Sequence, residues 1–389
     1  MIRGSAIFRT TPPSSTDSSG LAPVREFTEE LANYFAKSEI WKVEKLLGSG
    51  SFGIVVLLRE KNTRPLTRPR RVVLKVPIRP DRGGRELLGE IAALKQMRGC
   101  AHIAQMLTSC DDVSMAIQLS PLERSAPELV QRLRVWMRPS LDTVFDTMRK
   151  SALEGPAMLL EYLENGSLLT IMIKAGERRV RLPNRLMWSF HLCLVRACVG
   201  LAFPPNGPRN STPTMETIEE DREPSRFRHN DVAFRNIMIG DRDPAGPPEH
   251  HMMAPLKLID FGIMDEARSS KEAIGDNVWA ISECMAEVIT WNRNTAPYGL
   301  PVVHNGIVTA ASHLLPRLGV NMLPDLDDEL RDLVAQGMAR NPDDRPTLPE
   351  LLHRASQGMR KPAASYPGRE LEESDERIAA ILDDLIFNA

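Results

Sequence analysis

The sequence predicts an α+β protein, and three observations carry that expectation. Short β-branched and aliphatic runs occupy 41–47, 53–58, 71–76 and 157–162. Beyond the last of these, apolar residues recur at helical spacing. Strands first and helices later suggest two lobes rather than alternating units. The 389 residues suit one large domain in two lobes, or two domains, and an apolar content of 42% is enough for sizeable cores.

Each element has its own signal. Residues 1–23 are rich in Ser, Thr and Pro and are expected to form a flexible arm. Val24, Phe27, Leu31 and Phe35 sit at helical spacing, which predicts a short amphipathic helix over 24–38 that packs on the domain. Leu87, Ile91, Leu94 and Met97 share one face of a helix over 84–98. Pro183 opens a helix over 184–203 that keeps Leu186, Phe190, Leu194, Ala197 and Leu201 on one side. A strand–loop–strand region follows over 227–262, then helices over 278–290, 326–340, 347–355 and 371–388. Three stretches look inserted: 110–154, charged and partly helical; 204–226, polar and Pro-rich; and 241–254.

Composition narrows the function classes. A net charge of −2 gives no global basic field, so no nucleic-acid partner is expected. No apolar run reaches 18 residues, so no membrane partner is expected, and the N-terminus lacks an apolar signal core. Five scattered cysteines without a CxxC pair argue for a reduced cytoplasmic or nuclear setting and against a structural zinc. The His250–His251 pair has no third ligand at useful spacing, so an exposed loop is expected there.

Four motifs carry chemistry. Gly48-Ser49-Gly50-Ser51-Phe52-Gly53-Ile54-Val55 is a glycine loop followed by a strand-like run, not by the helix that a dinucleotide site requires. Lys75 ends the apolar run Val72-Val73-Leu74. His229-Asn230-Asp231-Val232-Ala233-Phe234-Arg235-Asn236 places an acid two residues after a histidine and an amide five residues after the acid. Asp260-Phe261-Gly262 closes the series. In this order the four resemble the phosphate loop, phosphate-anchoring lysine, catalytic loop and D-F-G element of protein kinases. The resemblance extends to Met158–Leu168, similar to the kinase hinge, and to Asn341-Pro342-Asp343-Asp344-Arg345-Pro346-Thr347, similar to the end of the helical lobe. It covers roughly residues 43–355 and includes divergent kinase-like proteins of filamentous fungi, whose tails the 371–388 segment resembles.

The resemblance implies a bilobal kinase-like fold, with an arm and helix over 1–40, an N-lobe over 41–163, a C-lobe over 164–360 and a helical tail over 361–389. It implies ATP and Mg²⁺ as cofactors and a monomer acting on a protein substrate. Asp231 would orient the attacking hydroxyl, and Asn236 and Asp260 would hold Mg²⁺. Lys75 would anchor the phosphates, paired with Glu90, with Glu86 the competing choice. Gly48, Ser49, Gly50, Ser51, Gly53 and Val55 would cover the phosphates. Val73, Leu160 and Met238 would enclose the adenine, and the backbone of Glu161 and Leu163 would bond its edge. Arg235 would supply positive charge near the γ-phosphate.

Several positions depart from the family. Asn230 replaces the catalytic-loop arginine that captures an activation-loop phosphate, and Ala233 replaces the lysine of Ser/Thr kinases. Asn277 replaces the aspartate that anchors the catalytic loop. The span from Asp260 to Asn277 is too short for the usual activation and docking loops, and no Ala-Pro-Glu is present. Arg345 therefore lacks its usual glutamate, and an exposed position or another acid is expected for it. Three readings follow: a protein kinase acting on a Ser or Thr hydroxyl ahead of Tyr, a pseudokinase that keeps the fold, and a small-molecule kinase of the aminoglycoside-phosphotransferase type.

Overall fold

The computed structural model describes residues 18–50, 53–61, 68–78, 80–113, 140–151, 153–208, 211–243, 246–290, 300–316, 318 and 320–387. The chain is mixed α and β with a small five-stranded antiparallel sheet, consistent with an α+β class. It divides into two compact units, Met1–Leu88 with Thr108–Leu159, and Gly89–Leu107 with Leu160–Ala389. Segment 89–107 thus goes with the helical unit, whereas the sequence expectation groups it with the strands.

The first unit is built on the sheet, whose order is β1 (Trp41–Gly50), β2 (Gly53–Glu60), β3 (Arg71–Val76), β5 (Ala157–Glu161) and β4 (Met106–Cys110). Near-continuous apolar runs make β2 and β3, and Ile54, Val56, Leu57, Leu58, Val72, Val73, Leu74 and Val76 are buried. Helix α1 (Ser18–Ala36) begins before the expected residue 24 and buries Leu31 and Phe35 completely. Ser38 turns the chain from α1 into β1 by accepting hydrogen bonds from the amides of Ile40 and Trp41. Trp41 is fully buried, and its Nε1 donates to Thr143 at the start of α3 (Thr143–Lys150). That helix falls in the 110–154 insertion, of which residues 114–139 lie outside the described residues, as do Ser51 and residues 1–17 of the arm expected over 1–23. Helix α2 (Pro80–Gln96) begins in this unit and ends in the second, starting four residues earlier than the pattern at 84 suggests.

The second unit is organised by α5 (Asn184–Ala202), of which only Arg185 and Arg196 are not buried. Its length and mean hydropathy of 1.3 would suit a membrane span, but 89% of it is buried inside the protein, the position of a core helix. Around it lie α4 (Leu168–Arg178), α6 (Ser270–Thr290), α7 (Asp328–Gly337), α8 (Leu348–Met359) and α9 (Asp375–Leu382). Helix α6 starts eight residues before the expected 278, because Ser269 accepts from the amide of Glu272 and caps it. Short strand pairs complete the unit: β6 (Phe227–Arg228) with β9 (Asp265–Glu266), β7 (Ile237–Ile239) with β8 (Leu256–Leu258), and β10 (Val302–His304) with β11 (Ile307–Thr309).

The tail is stitched into this core. Glu373, fully buried, accepts from the amides of Asn184 and Arg185 and so caps the start of α5. The expected tail helix over 371–388 therefore starts later, after Ser374, whose side chain caps α9, and it widens into a π turn over Asp383–Phe387. Asp327 is the second knot. It caps α7 through the amides of Glu329 and Leu330 and accepts from Trp188 Nε1 at 3.2 Å, Lys361 Nζ at 2.7 Å and Tyr366 Oη at 3.0 Å. The loop over 241–254 is not wholly exposed, contrary to the sequence expectation: His251 is exposed, but His250 is buried. The ion pair between Arg196 of α5 and Glu249 draws this loop inward.

Removing the Asp327 carboxylate strands a buried indole N–H and a buried phenol, and takes from the half-buried Lys361 ammonium one of its two carboxylate partners, Glu329 remaining at 2.9 Å. Asp327→Ala is expected to lower unfolding stability by about 3–5 kcal/mol, read in urea melts. Lys361→Met, which removes the charge but keeps most of the stem, is expected to cost less.

Candidate active site

The catalytic-loop motif runs from β6 to β7. His229 is fully buried, and its two ring nitrogens have fixed duties. Nδ1 accepts from the amide of Asp231 at 3.2 Å, so the proton sits on Nε2, which donates to the carbonyl of Ile259 at 3.0 Å. The ring also meets Phe261 edge-on, with centroids 4.8 Å apart. Burial drives the His229 pKa down to about 4, although the Ile259 carbonyl and the charges of Asp231 and Asp260 oppose that shift. The neutral ring is the form that makes both bonds.

Asp231 follows, partly exposed. Arg235, one turn later, reaches both of its carboxylate oxygens at 2.5 and 2.7 Å. Asn236 is buried and donates through Nδ2 to the Asp231 carbonyl at 2.9 Å and to its Oδ2 at 2.8 Å. The carbonyl of Asn236 accepts from the amide of Ile259, and β7 and β8 then pair from Ile237 opposite Leu258 onward. Asn236 and Asp260 therefore flank the same end of one strand pair. Asp260 has a φ of 66°, a left-handed backbone unusual for aspartate.

Asn277 of α6 anchors the loop as the sequence suggests. Its Oδ1 accepts from the amide of His229 at 3.2 Å, and its Nδ2 donates to the Phe227 carbonyl at 2.8 Å. An aspartate there could make only the first bond. Asn230, with a φ of 63°, donates to the Ile263 carbonyl and to Asp265, tying the catalytic loop to the segment after Gly262. Asp265 also pairs with Arg228, which reaches Asp276 as well. Burial works against the Asp265 charge, yet Arg228 and Asn230 hold its pKa below the usual carboxylate range. Sequence reasoning missed Arg228 and Asp265; a charged pair framing the loop is only visible once β6 and β9 are in register.

Arg345 is half-buried rather than exposed, and the acid it finds, Asp276, is a distant one. It donates to the carbonyls of Ala339 at 3.0 Å and Gly275 at 2.7 Å, lies over the Trp279 ring at 4.9 Å, and approaches Asp276 only to 3.8 Å. Two carbonyls and an indole face are its nearest partners.

The remaining residues of the second unit lie as follows. Leu160 and Glu161 are half-buried at the end of β5, and Leu163 is buried. The amide of Glu161 donates to the Gln105 carbonyl, and its carboxylate binds Lys257 Nζ at 2.7 and 2.9 Å and the Gln105 amide at 2.7 Å. Met238 is half-buried on β7, and Glu90 is buried on α2, whereas Glu86, in the first unit, is only half-buried. In the first unit, Gly48, Ser49 and Gly50 end β1, paired with Val55, Ile54 and Gly53. Lys75 lies opposite Val55, and Val73, opposite Leu57, is buried. Gly53 is required by a close approach: a Cβ there would lie 2.1 Å from the Val76 carbonyl oxygen. No protein-family model matches the chain, and no match is found among curated proteins.

The His229 ring gives this loop a pH signature. Below pH 6.5 the unfolded chain takes up a proton that the folded ring refuses until about pH 4. Stability from this group is thus present above pH 6.5 and falls as acid is added across that window, by about 3 kcal/mol in all. His191, held down to about 3 by burial and by Arg354, acts in the same direction. Urea midpoints measured between pH 7 and 4 are expected to fall less steeply for His229→Gln than for wild type.

Proposed function

We propose that the chain is an ATP- and Mg²⁺-dependent protein kinase of the bilobal kinase-like fold, transferring the γ-phosphate to a Ser or Thr hydroxyl of a protein substrate. The supporting observation is the clasp that brings Asn236 and Asp260 to one end of the β7–β8 pair, with Asp231 bonded to Asn236. An amide and a carboxylate so placed suit Mg²⁺, a hard cation that takes oxygen ligands. Asp231, outside that pair and partly exposed, suits the orientation of an attacking hydroxyl. Lys75 would anchor the phosphates, and the loop from Gly48 to Gly53 would cover them with backbone alone. Bound Mg²⁺ would neutralise charge developing on the transferred phosphoryl group. The reading takes the protein as a cytoplasmic or nuclear monomer.

One observation favours a pseudokinase instead. Both Asp231 oxygens already engage Arg235, so the base is latched unless a phosphate draws that arginine away. Turnover separates the two readings. At 100 times its dissociation constant, Mg²⁺·ATP is expected to add about 2.7 kcal/mol of stability, seen as a rise in Tm. Asp260→Ala and Lys75→Ala are expected to shrink that rise. Asp231→Asn is expected to keep it while lowering phosphorylation roughly 10²–10⁴-fold. Equal, background-level phosphorylation by wild type and Asp231→Asn would leave the pseudokinase reading standing, and no Tm rise with Mg²⁺·ATP would leave only a scaffold that keeps the fold without nucleotide.

Control by phosphorylation of the segment after Gly262 is not expected. Its backbone is already paired through β9, and Asn230 stands where a phosphate-capturing arginine would be needed. Ser269 serves as the cap of α6. Replacing Ser269 and Ser270 together by alanine is expected to cost about 0.5–2 kcal/mol of stability through the lost cap, with specific activity at 25 °C unchanged and insensitive to phosphatase.

A further inference from the structure

Away from the candidate active site, three side chains far apart in sequence converge inside the second unit. His102 lies after α2, Cys193 in the middle of α5, and His250 in the loop between β7 and β8. One ring nitrogen of each histidine and the Cys193 sulfur all lie within 4.8 Å of one another. The side chains are buried, with exposures of 0%, 4% and 6% in that order. The Nε2 of His102 and both ring nitrogens of His250 find no nitrogen or oxygen partner. A purely structural cluster leaves this unexplained. A single thiol has one proton to donate and can satisfy one of those nitrogens, and each buried polar atom left over is destabilising.

The surroundings are arranged to aim these donors. Glu216 grips His102 twice, through its amide at 2.7 Å and its Nδ1 at 2.6 Å. That contact leaves Nε2 as the free donor atom, the carboxylate–histidine arrangement that orients metal ligands. Arg196, one helical turn after Cys193, binds both Glu249 oxygens, at 2.5 and 3.1 Å, and the Glu216 carbonyl at 2.6 Å. One arginine thus positions the residue before His250 and the residue behind His102. Gly200 lets the Glu216 loop approach α5: a Cβ there would lie 3.1 Å from Glu216 Cγ and 2.9 Å from Cys100 Sγ.

We propose that His102, Cys193 and His250 form a zinc site that staples the segment after α2 and the 241–254 loop to α5, with the 204–226 loop held to it through Glu216. Two imidazoles and a thiolate suit borderline-soft Zn²⁺, whereas Mg²⁺ and Ca²⁺ require oxygen donors. Donors bound to tetrahedral zinc sit about 3.3–3.6 Å apart, so the cluster closes by about 1 Å at its widest pair. Three protein donors leave a fourth position for solvent. Binding releases the thiol proton to solvent and changes no oxidation state. The sequence expectation that the histidine pair lacks a third ligand fails because the partners come from positions 102 and 193, on other elements. The proposal does not depend on the kinase reading, since it uses none of the catalytic-loop residues.

The test uses the full chain, stripped with a chelator under reductant and titrated with Co²⁺. One equivalent is expected to give a thiolate-to-cobalt charge-transfer band, abolished by one equivalent of Zn²⁺. Asp260→Ala is expected to retain the band, which separates this site from any cation held by oxygen ligands. Cys193→Ser is expected to lose the band and His250→Gln to weaken cobalt affinity at least tenfold, each with wild-type far-ultraviolet circular dichroism. If either variant misfolds, the wild-type titration decides alone, together with zinc content of the isolated protein and a rise in Tm on zinc addition. No charge-transfer band in wild type, or a band that survives in Cys193→Ser, overturns the proposal. Copper in place of zinc in the isolated protein overturns the metal assignment.

Discussion

Helix α5 must be dry on nearly every side, and much of the second unit follows from that requirement. A helix with seventeen of its nineteen residues buried cannot leave its first amides to water. Glu373 supplies acceptors from the far end of the chain, which fixes where the tail must run. Trp188, on the same helix, needs an acceptor for its indole N–H, and Asp327 provides it while capping α7. The two residues of α5 that are not buried are both arginines, and both are spent on holding neighbouring segments: Arg185 on the tail and Arg196 on the two loops beside it.

The catalytic-loop motif obeys a different constraint, that of a neutral ring. His229 can join the loop to the Ile259 carbonyl only while Nδ1 stays free to accept. Burial enforces that state, and Asn277 secures the same loop from α6 by offering one donor and one acceptor at once. An amide at position 277 therefore anchors the loop at two points. Asn230, a short amide, bonds the following segment directly.

Most of the framework was legible because it is local. The β-branched and aliphatic runs of β2 and β3, the apolar length of α5 and the spacing of Asp231 and Asn236 are patterns within a few residues. Boundaries slipped where a side chain decided them: Ser269 starts α6 early, and Ser374 starts α9 late. Burial of His250 was illegible. A Pro- and His-rich stretch reads as solvent-exposed, and only the Arg196–Glu249 pair, across 53 positions, turns it inward. The nearest partners of Arg345 were illegible for a related reason: carbonyl oxygens, which leave no mark in a sequence, lie closer to it than the acid Asp276.

The segment after Gly262 has a consequence for how such a protein can be governed. Its few residues are bonded at both ends, by Asn230 to the carbonyl of Ile263 and to Asp265, by the pairing of β9 with β6, and by the cap on α6. Nothing in it awaits ordering, so it offers no dial with an off position. In the kinase reading proposed above, output from a site wired in this way would scale with the number of copies present and with how near their target they are held. Synthesis, turnover and tethering then become the levers, and the fold itself stays constant while they change.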